Sequence, residues 1–201
     1  HLTHFLNINN FEKETFDFVQ TLNIERKLEN TSFIDVGGNV GSYSLYFKNN
    51  YNSKIYIFEP DEDNLILLFK TKKKNKFNNF SIFPFALSNN QKIAKFLVDD
   101  ISGSTGTLSQ KRNVPQIKMN LNKENDVICV KLDSFKDIIN KVSWIKIDIE
   151  GHEVEALEGM LELIKRDQPN LIIESNEKNI DRVSKLLNPF DYKIKKIKTD
   201  P

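Results

Sequence analysis

The sequence has few of the features that mark secreted, membrane-spanning or nucleic-acid-coating proteins. Its single cysteine, Cys129, cannot form an internal disulfide, so we expect a protein of a reducing compartment, the cytoplasm. No apolar run approaches the ~20 residues that cross a bilayer, so we expect no membrane partner. Lys and Arg total 29 against 28 for Asp and Glu. Without a basic surplus, we expect no nucleic-acid partner either.

Glycine and proline are also scarce, at 7 and 6 residues, so a cluster of three glycines stands out. Gly37, Gly38 and Gly41 follow the strand-like run 33–36 and precede an amphipathic pattern from residue 42. This order predicts a strand, a tight turn and a helix. Glycines allow positive φ and close approach of a ligand to the backbone, and the helix N-terminus that follows favours a carboxylate or phosphate.

An acid follows at the end of the next predicted strand. Residues 54–59 read as a strand that ends on Glu59, 18 residues after Gly41. An acid at this position is placed to accept hydrogen bonds from two ribose hydroxyls. The glycines lack the Gly-x-Gly-x-x-Gly spacing of dinucleotide sites, and no phosphate loop is present. S-adenosylmethionine has a ribose and a carboxylate but no pyrophosphate, so it fits this turn; the alternative is that the glycines only shape a βα turn.

The rest of the chain predicts an α/β protein with a Rossmann-like, mostly parallel, doubly wound sheet. Further strand-like runs occur at 81–88, 142–148, 171–174 and 192–197, with helical patterns between them. Residues 89–132 break this rhythm and predict a β-extension, which is either a lid or rim over the site or only an elaborated surface loop. We expect one domain over 1–201, with a helical segment at 1–30 and the core at 31–201.

Three local details of the helices are also predicted. Asp61 is expected to cap the second helix of the core, and Asp133 to cap a short helix that runs to residue 139. The buried faces are expected to contain Leu65, Leu68 and Phe69 in that second helix, and Val154, Leu157, Leu161 and Ile164 in one later helix, with Glu153 pointing away.

A second group of polar residues follows the predicted fourth strand. Asp148, Glu150 and His152 stand close together in sequence, and parallel strands bring their carboxyl ends to one edge of the sheet. Two carboxylates and an imidazole beside a nucleoside site could supply a general base, so these three residues are the catalytic candidates. His152 has a plainer alternative as a surface or capping residue.

Two other functions remain open at this point. Asp148 with Glu174 and Asn176 could hold a divalent cation that acidifies a substrate hydroxyl, although no metal site is our main expectation. From a different class, the chain could be a non-catalytic module that binds a nucleoside without turning it over. A nucleic-acid methyltransferase is less favoured.

Taken together, these motifs resemble the FkbM family of S-adenosylmethionine-dependent methyltransferases. The resemblance extends from residue 31 to the C-terminus, and it rests on the motifs 33–41, 58–60, 86–88, 103–104 and 130–133 and above all on Lys-Ile-Asp-Ile-Glu-Gly-His-Glu at 146–153. The family often has Ala at the position of Gly38. A seventh, antiparallel strand usual in this fold is not evident, so we expect that the C-terminus is truncated.

The resemblance implies a class I methyltransferase fold and O-methylation of a hydroxyl on a sugar, glycan or secondary metabolite. By position, Gly37 to Gly41 would hold the methionine end of the cofactor, Glu59 the ribose, and Ala86 with Leu87 the adenine. The full set of expected cofactor-binding residues is Asp35, Gly37, Gly38, Asn39, Gly41, Glu59, Pro60, Ala86, Leu87 and Asp148. The partner is a small-molecule or glycan acceptor, and nothing in the sequence indicates an oligomeric state.

Overall fold

The structure is a computed structural model that describes residues 12–26, 32–51, 53–98, 106–108 and 123–197. The chain divides into two compact units. The smaller unit combines residues 1–29 and 193–201, and its described part contains helix α1 (Lys13–Arg26). In this unit the Lys195 ammonium lies 4.3 Å from the centre of the Phe18 ring. The predicted N-terminal helix is therefore confirmed for residues 13–26, while Phe11 lies outside the described residues.

The larger unit, residues 30–192, is built on a five-stranded parallel sheet. Its strands are β1 (Ser32–Val36), β2 (Lys54–Phe58), β3 (Phe80–Phe83), β8 (Val142–Ile147) and β9 (Asn170–Ile173). Their spatial order is β3-β2-β1-β8-β9, and every neighbouring pair is parallel. Strand order reverses direction between β1 and β8, and ligands of such sheets bind at the carboxyl ends of the strands beside this point.

Helices cover both faces of this sheet, as predicted. They are α2 (Ser42–Tyr51), α3 (Glu62–Asn75), α4 (Glu153–Glu158), α5 (Leu161–Asp167) and α6 (Glu177–Leu187). Successive side chains of β1 point to opposite faces of the sheet. On one face, Phe33 stacks on Phe47 of α2 with ring centres 3.9 Å apart. Ile34 and Val36 instead join a buried cluster with Leu157 of α4. Burying each such side chain contributes roughly 1.5–3 kcal/mol.

A second sheet forms the predicted β-extension. Its strands are β4 (Ala86–Leu87), β5 (Lys92–Val98), β6 (Gly106–Thr107) and β7 (Lys123–Val130), in the order β4-β7-β5-β6. Strands β5 and β7 are antiparallel over seven residue pairs, from Lys92 opposite Cys129 to Val98 opposite Lys123. One face of this pair buries Phe96, Val127 and Cys129, so the extension has a small core of its own.

The single strand predicted for residues 81–88 is wrong. The chain leaves the first sheet at Phe83, passes through Pro84, and enters the second sheet as β4. Proline has no backbone N–H to donate and its φ is fixed, which disfavours one continuous strand through Pro84. As a result, Ala86 and Leu87 pair with β7 rather than with β2.

A strand at residues 192–197 is also wrong, because these residues form no strand in the structure. Ile194, in the middle of this segment, is 53% exposed. The Tyr192 hydroxyl donates to the backbone oxygen of Pro169 at 2.7 Å, which ties the start of this segment to the residue before β9.

Two details of the helices differ from expectation, and one is confirmed. Asp61 caps α3 as predicted, accepting from the backbone N–H groups of Asp63 and Asn64. Asp133 lies inside a 3₁₀ helix, Leu132–Phe135, and caps α5 instead, since its carboxylate accepts from the N–H groups of Glu162 and Leu163 at 3.1 and 2.9 Å. Phe69 was expected to be buried, but 48% of it is exposed.

The long helix predicted for 153–164 is broken into α4 and α5 at Gly159. A Cβ at Gly159 would lie 2.0 Å from the backbone oxygen of Ser88, so the chain passes too close to this oxygen for any larger residue. Glu153, expected to point away, is 2% exposed. Among the described residues, none of the helices has the length and apolar character needed to cross a bilayer.

Candidate functional site

The glycine turn between β1 and α2 is pressed against the end of β8. Gly37 has φ +74°, and a Cβ there would lie 2.0 Å from the backbone oxygen of Asp148. Gly41 has φ +88° and packs on Leu68 of α3. Asn39 adopts φ 48°, a left-handed conformation that asparagine tolerates better than most residues. The turn therefore brings the ends of β1 and β8 into direct backbone contact.

Glu59 lies beside this turn, at the end of β2. Its side chain is almost fully buried, and its two oxygens accept from the backbone N–H groups of Asn39 at 2.7 Å and Asp61 at 2.9 Å. Burial raises the pKa of Glu59 to about 7 in spite of these two hydrogen bonds. A carboxylate oxygen can accept more than one hydrogen bond, so both remain able to accept from a ligand hydroxyl.

A cavity opens between this turn and the second sheet, at the carboxyl ends of β1, β2 and β8. It encloses about 760 Å³ including the space open to solvent. Its lining residues are Val36, Gly37, Asn39, Phe58, Glu59, Pro60, Asp61, Asn64, Phe85, Ala86, Leu87, Phe96, Val98, Gly106, Leu108, Asp148, Ile149 and Glu150.

Asp35, in contrast, does not line the cavity. Its carboxylate lies 1% exposed below the glycine turn, where Oδ2 accepts from the backbone N–H of Ser44 at 3.2 Å and from its hydroxyl at 2.6 Å. Burial raises the pKa of Asp35, and the charge of Lys146 partly offsets this. Asp35 therefore fixes the start of α2.

Asp148 is paired with a buried lysine. The Lys146 ammonium donates to Asp148 Oδ2 at 2.8 Å and lies 4.7 Å from the centre of the Tyr43 ring. Burial alone would lower the pKa of Lys146, but the charges of Asp148 and Asp35 outweigh it and raise the pKa. The pair leaves Asp148 at the cavity wall with one oxygen already engaged by a cation.

Glu150 also lines the cavity, and its carboxylate has no hydrogen bond or ion pair with any described residue. The residue has φ 51° and is half-buried. Burial, followed by the charges of Asp148 and Glu153, raises the pKa of Glu150. A carboxylate with a raised pKa and no partner is suited to accept a proton near neutral pH.

His152 lies outside the cavity lining. Its Nε2 is 3.1 Å from the Ser88 hydroxyl, and its Nδ1 is 3.8 Å from Glu155 Oε2. Burial lowers the pKa of His152, which favours the neutral imidazole. The structure therefore does not group His152 with Asp148 and Glu150, although the sequence spacing suggested it.

The cavity thus brings together eight of the residues proposed from the sequence: Gly37, Asn39, Glu59, Pro60, Ala86, Leu87, Asp148 and Glu150. Asp35, Gly38, Gly41 and His152 are not among its lining residues. A further wall is supplied by Phe96, Val98, Gly106 and Leu108, which belong to the β-extension or directly follow one of its strands. The sequence allowed this extension to form the rim of a site, but it did not single out these four residues.

The residues considered for a divalent cation have other partners. Asn176 caps α6, since its side-chain oxygen accepts from the Asn179 N–H at 3.0 Å. Across the described ranges, no three His, Cys, Asp or Glu side chains are grouped so that they could hold a metal ion. The metal-assisted alternative therefore receives no support from these residues.

The parallel strand order, the glycine turn and the acid after β2 define a Rossmann-like fold of the class I methyltransferase type. The chain belongs to the FkbM methyltransferase domain family, because the family model described as "Methyltransferase FkbM domain" matches residues 35–194. The resemblance noted from the sequence is thereby confirmed. No curated protein matches the sequence significantly.

Solved structures share the fold. The chain is 19% identical to a methyltransferase FkbM from Methylobacillus flagellatus KT, with a TM-score of 0.56, and the match covers 79% of this chain and 37% of that one. The chain thus spans well under half of that protein. A weaker match is a precorrin-6y C5,15-methyltransferase from Geobacter metallireducens GS-15, with 12% identity and a TM-score of 0.47, covering 83% of this chain and 66% of that one. Another is a SAM-dependent methyltransferase from Aquifex aeolicus, with 16% identity and a TM-score of 0.44, covering 88% of this chain and 80% of that one.

Proposed function

We propose that the cavity binds S-adenosylmethionine and that the chain transfers its methyl group to a hydroxyl of a sugar, glycan or secondary metabolite. The observation that carries this proposal is the buried Glu59 carboxylate beside the Gly37 turn, since it offers two oxygens to the hydroxyls of a ribose. Family membership supports the same cofactor. The absence of a Cβ at Gly37 lets the turn lie against the backbone of Asp148, so the turn and Asp148 border the same cavity.

The cofactor supplies an electrophilic methyl group, so the protein has to align the acceptor, exclude water and remove a proton. Glu150 is the group assigned to the proton, because it lines the cavity and its carboxylate has no hydrogen bond or ion pair with any residue that the structure describes. Bound S-adenosylmethionine would supply the methyl group, and the Glu150 carboxylate would accept the proton of the acceptor hydroxyl. The Asp148 carboxylate already accepts a hydrogen bond from Lys146, and we assign it to orienting the acceptor or the cofactor.

Calorimetric titration with S-adenosylhomocysteine tests the cofactor site. We expect saturable binding to the wild-type chain, and affinity roughly 10–100-fold lower for Glu59→Gln, because one charge-assisted hydrogen bond to a ribose hydroxyl is lost. Asp126→Asn, on an exposed side chain of β7, is the matched control and should bind as the wild type does. Absence of heat with well-folded wild-type chain would refute the proposal, and binding without any methyl transfer would favour a non-catalytic module.

Cofactor affinity should depend on pH through Glu59. Its pKa of about 7 lies above the ordinary 4.5. The folded chain without ligand therefore binds this proton more tightly than the unfolded chain, and its free energy of unfolding falls as pH rises from 4.5 to 7. Ligand hydroxyls donate to the ionised form, so S-adenosylhomocysteine should bind roughly tenfold more tightly at pH 8 than at pH 6. Calorimetry at the two pH values checks this; an equally large change in Glu59→Gln would contradict it.

A further inference from the structure

The turn that carries Glu150 has an unusual backbone. Glu150 and Gly151 are consecutive residues with positive φ, 51° and 99°. Glycine adopts this conformation freely, but glutamate does so only where its surroundings hold it there. The contacts of this turn therefore show what keeps the Glu150 side chain at the cavity.

Three side chains form hydrogen bonds with the backbone of this turn. They are Thr107, Glu153 and Asn179, and we call them the turn clamp. The Thr107 hydroxyl donates to the backbone oxygen of Glu150 at 2.9 Å. The Gly151 N–H donates to Glu153 Oε1 at 2.6 Å. The Asn179 amide donates to Glu153 Oε2 at 3.1 Å and to the backbone oxygen of Gly151 at 3.4 Å.

The members of the turn clamp are themselves fixed, and they come from three separate elements. Thr107 belongs to β6 and is 3% exposed, while Glu153 begins α4 and is 2% exposed. Asn179 lies in the first turn of α6, where its backbone N–H donates to the capping side chain of Asn176. The second sheet, α4 and α6 therefore meet at the turn.

We propose that Thr107, Glu153 and Asn179 are positioning residues that hold the Glu150 carboxylate inside the cavity, where it can accept the proton of the acceptor hydroxyl. The catalytic part of this statement rests on the proposed function. The positioning part concerns only the chain itself and can be measured without any acceptor.

The charges around Glu150 make its position measurable. Asp148 and Glu153 face it with negative charge and Lys146 with positive charge, while burial is the largest influence that raises its pKa. If the turn is released, the carboxylate reaches water, burial is lost, and the pKa falls toward the ordinary value for glutamate. The titration midpoint of Glu150 therefore reports where its carboxylate lies.

The experiment is a carbon-13 NMR titration of the glutamate carboxyl groups in the whole chain, with the Glu150 signal assigned by its loss in Glu150→Gln. We expect Thr107→Val to lower the Glu150 midpoint by about half a pH unit or more, since valine keeps the shape of threonine without the hydroxyl. Thr107→Ser keeps the hydroxyl and should restore the wild-type midpoint. Asn179→Ala, on a different element, should act in the same direction as Thr107→Val.

If the turn clamp had only a structural role, its variants would have a lower free energy of unfolding. The Glu150 titration midpoint of the molecules that remain folded would then not change. Wild-type midpoints in Thr107→Val and Asn179→Ala would thus overturn the proposal, as would unfolding of both variants. Titration with S-adenosylhomocysteine on the same samples separates the two claims. Wild-type chain that fails to bind it refutes the proposed function but leaves the titration result intact, whereas unchanged midpoints with normal binding refute only the clamp.

Discussion

Glu150→Gln is expected to lower the rate of methyl transfer by about 10²–10⁴-fold while S-adenosylhomocysteine still binds. Glutamine has the shape of glutamate but cannot take a proton, and a positioned general base contributes a factor of this size. The Glu150 carboxylate is the one catalytic candidate that lines the cavity and has no partner among the described residues. Single-turnover transfer of labelled methyl groups to a panel of sugars and hydroxylated metabolites measures the effect.

The comparison that decides the assignment is His152→Gln. The His152 imidazole is hydrogen-bonded to the Ser88 hydroxyl, and the residue lies outside the cavity lining. The variant should therefore keep a rate close to that of the wild type. If His152→Gln loses as much activity as Glu150→Gln, the assignment of the proton to Glu150 is wrong. The rate of the wild-type chain should also rise with pH through the raised pKa of Glu150, because only the ionised form accepts a proton.

Gly37→Ala is expected to reduce the free energy of unfolding by about 2–5 kcal/mol. An alanine at φ +74° is strained by about 1–2 kcal/mol. Its Cβ would in addition lie 2.0 Å from the backbone oxygen of Asp148, and overpacking against groups that cannot move aside costs about 1–3 kcal/mol more. Because the turn and the end of β8 would have to separate, affinity for S-adenosylhomocysteine should fall as well. Urea unfolding and calorimetry measure the two effects.

Gly151→Ala is the matched control for this variant. Gly151 has φ +99°, but no atom lies within 4 Å of the position of its Cβ. Only the conformational strain of about 1–2 kcal/mol should therefore appear. Equal losses of stability in the two variants would show that the close approach of Gly37 to Asp148 has no energetic importance.

The parts of the fold that sequence predicts well are those with a local cause. The glycine turn at 37–41 and the Asp61 cap each depend on residues a few positions apart, and both appear where expected. Glu59 was located by its distance from the turn, and the structure places it beside the turn. Apolar patterns were sufficient to place four of the five parallel strands, whereas the run at 81–88 joined β3 and β4 into one predicted strand.

The errors arise where a distant partner overrides the local pattern. Asp133 precedes a helical pattern, yet its carboxylate caps α5, about 30 residues later, because the fold brings those N–H groups to it. Helix 153–164 breaks because Gly159 packs against the backbone of Ser88. Phe69 fits the apolar spacing of α3, but the helix turns it away from the sheet.

The candidate site shows the same division. Asp148 and Glu150 could be selected from their order in the chain, and both reach the cavity. Thr107 and Asn179, which hold the turn beneath Glu150, lie 43 and 28 residues away from their partners and belong to no recognisable motif. Their role depends on pairing between elements, which a single sequence does not encode in any short pattern.

The burial of Cys129 in the core of the second sheet has a practical consequence for spectroscopy. Its thiol is 0% exposed and burial raises its pKa, so the reactive thiolate form is scarce and shielded from reagents. A cysteine introduced at an exposed position, such as that of Ile93 on the outer face of β5, would therefore be labelled selectively without removal of the natural one. A fluorophore attached there would report on movements of this sheet in an otherwise unaltered chain.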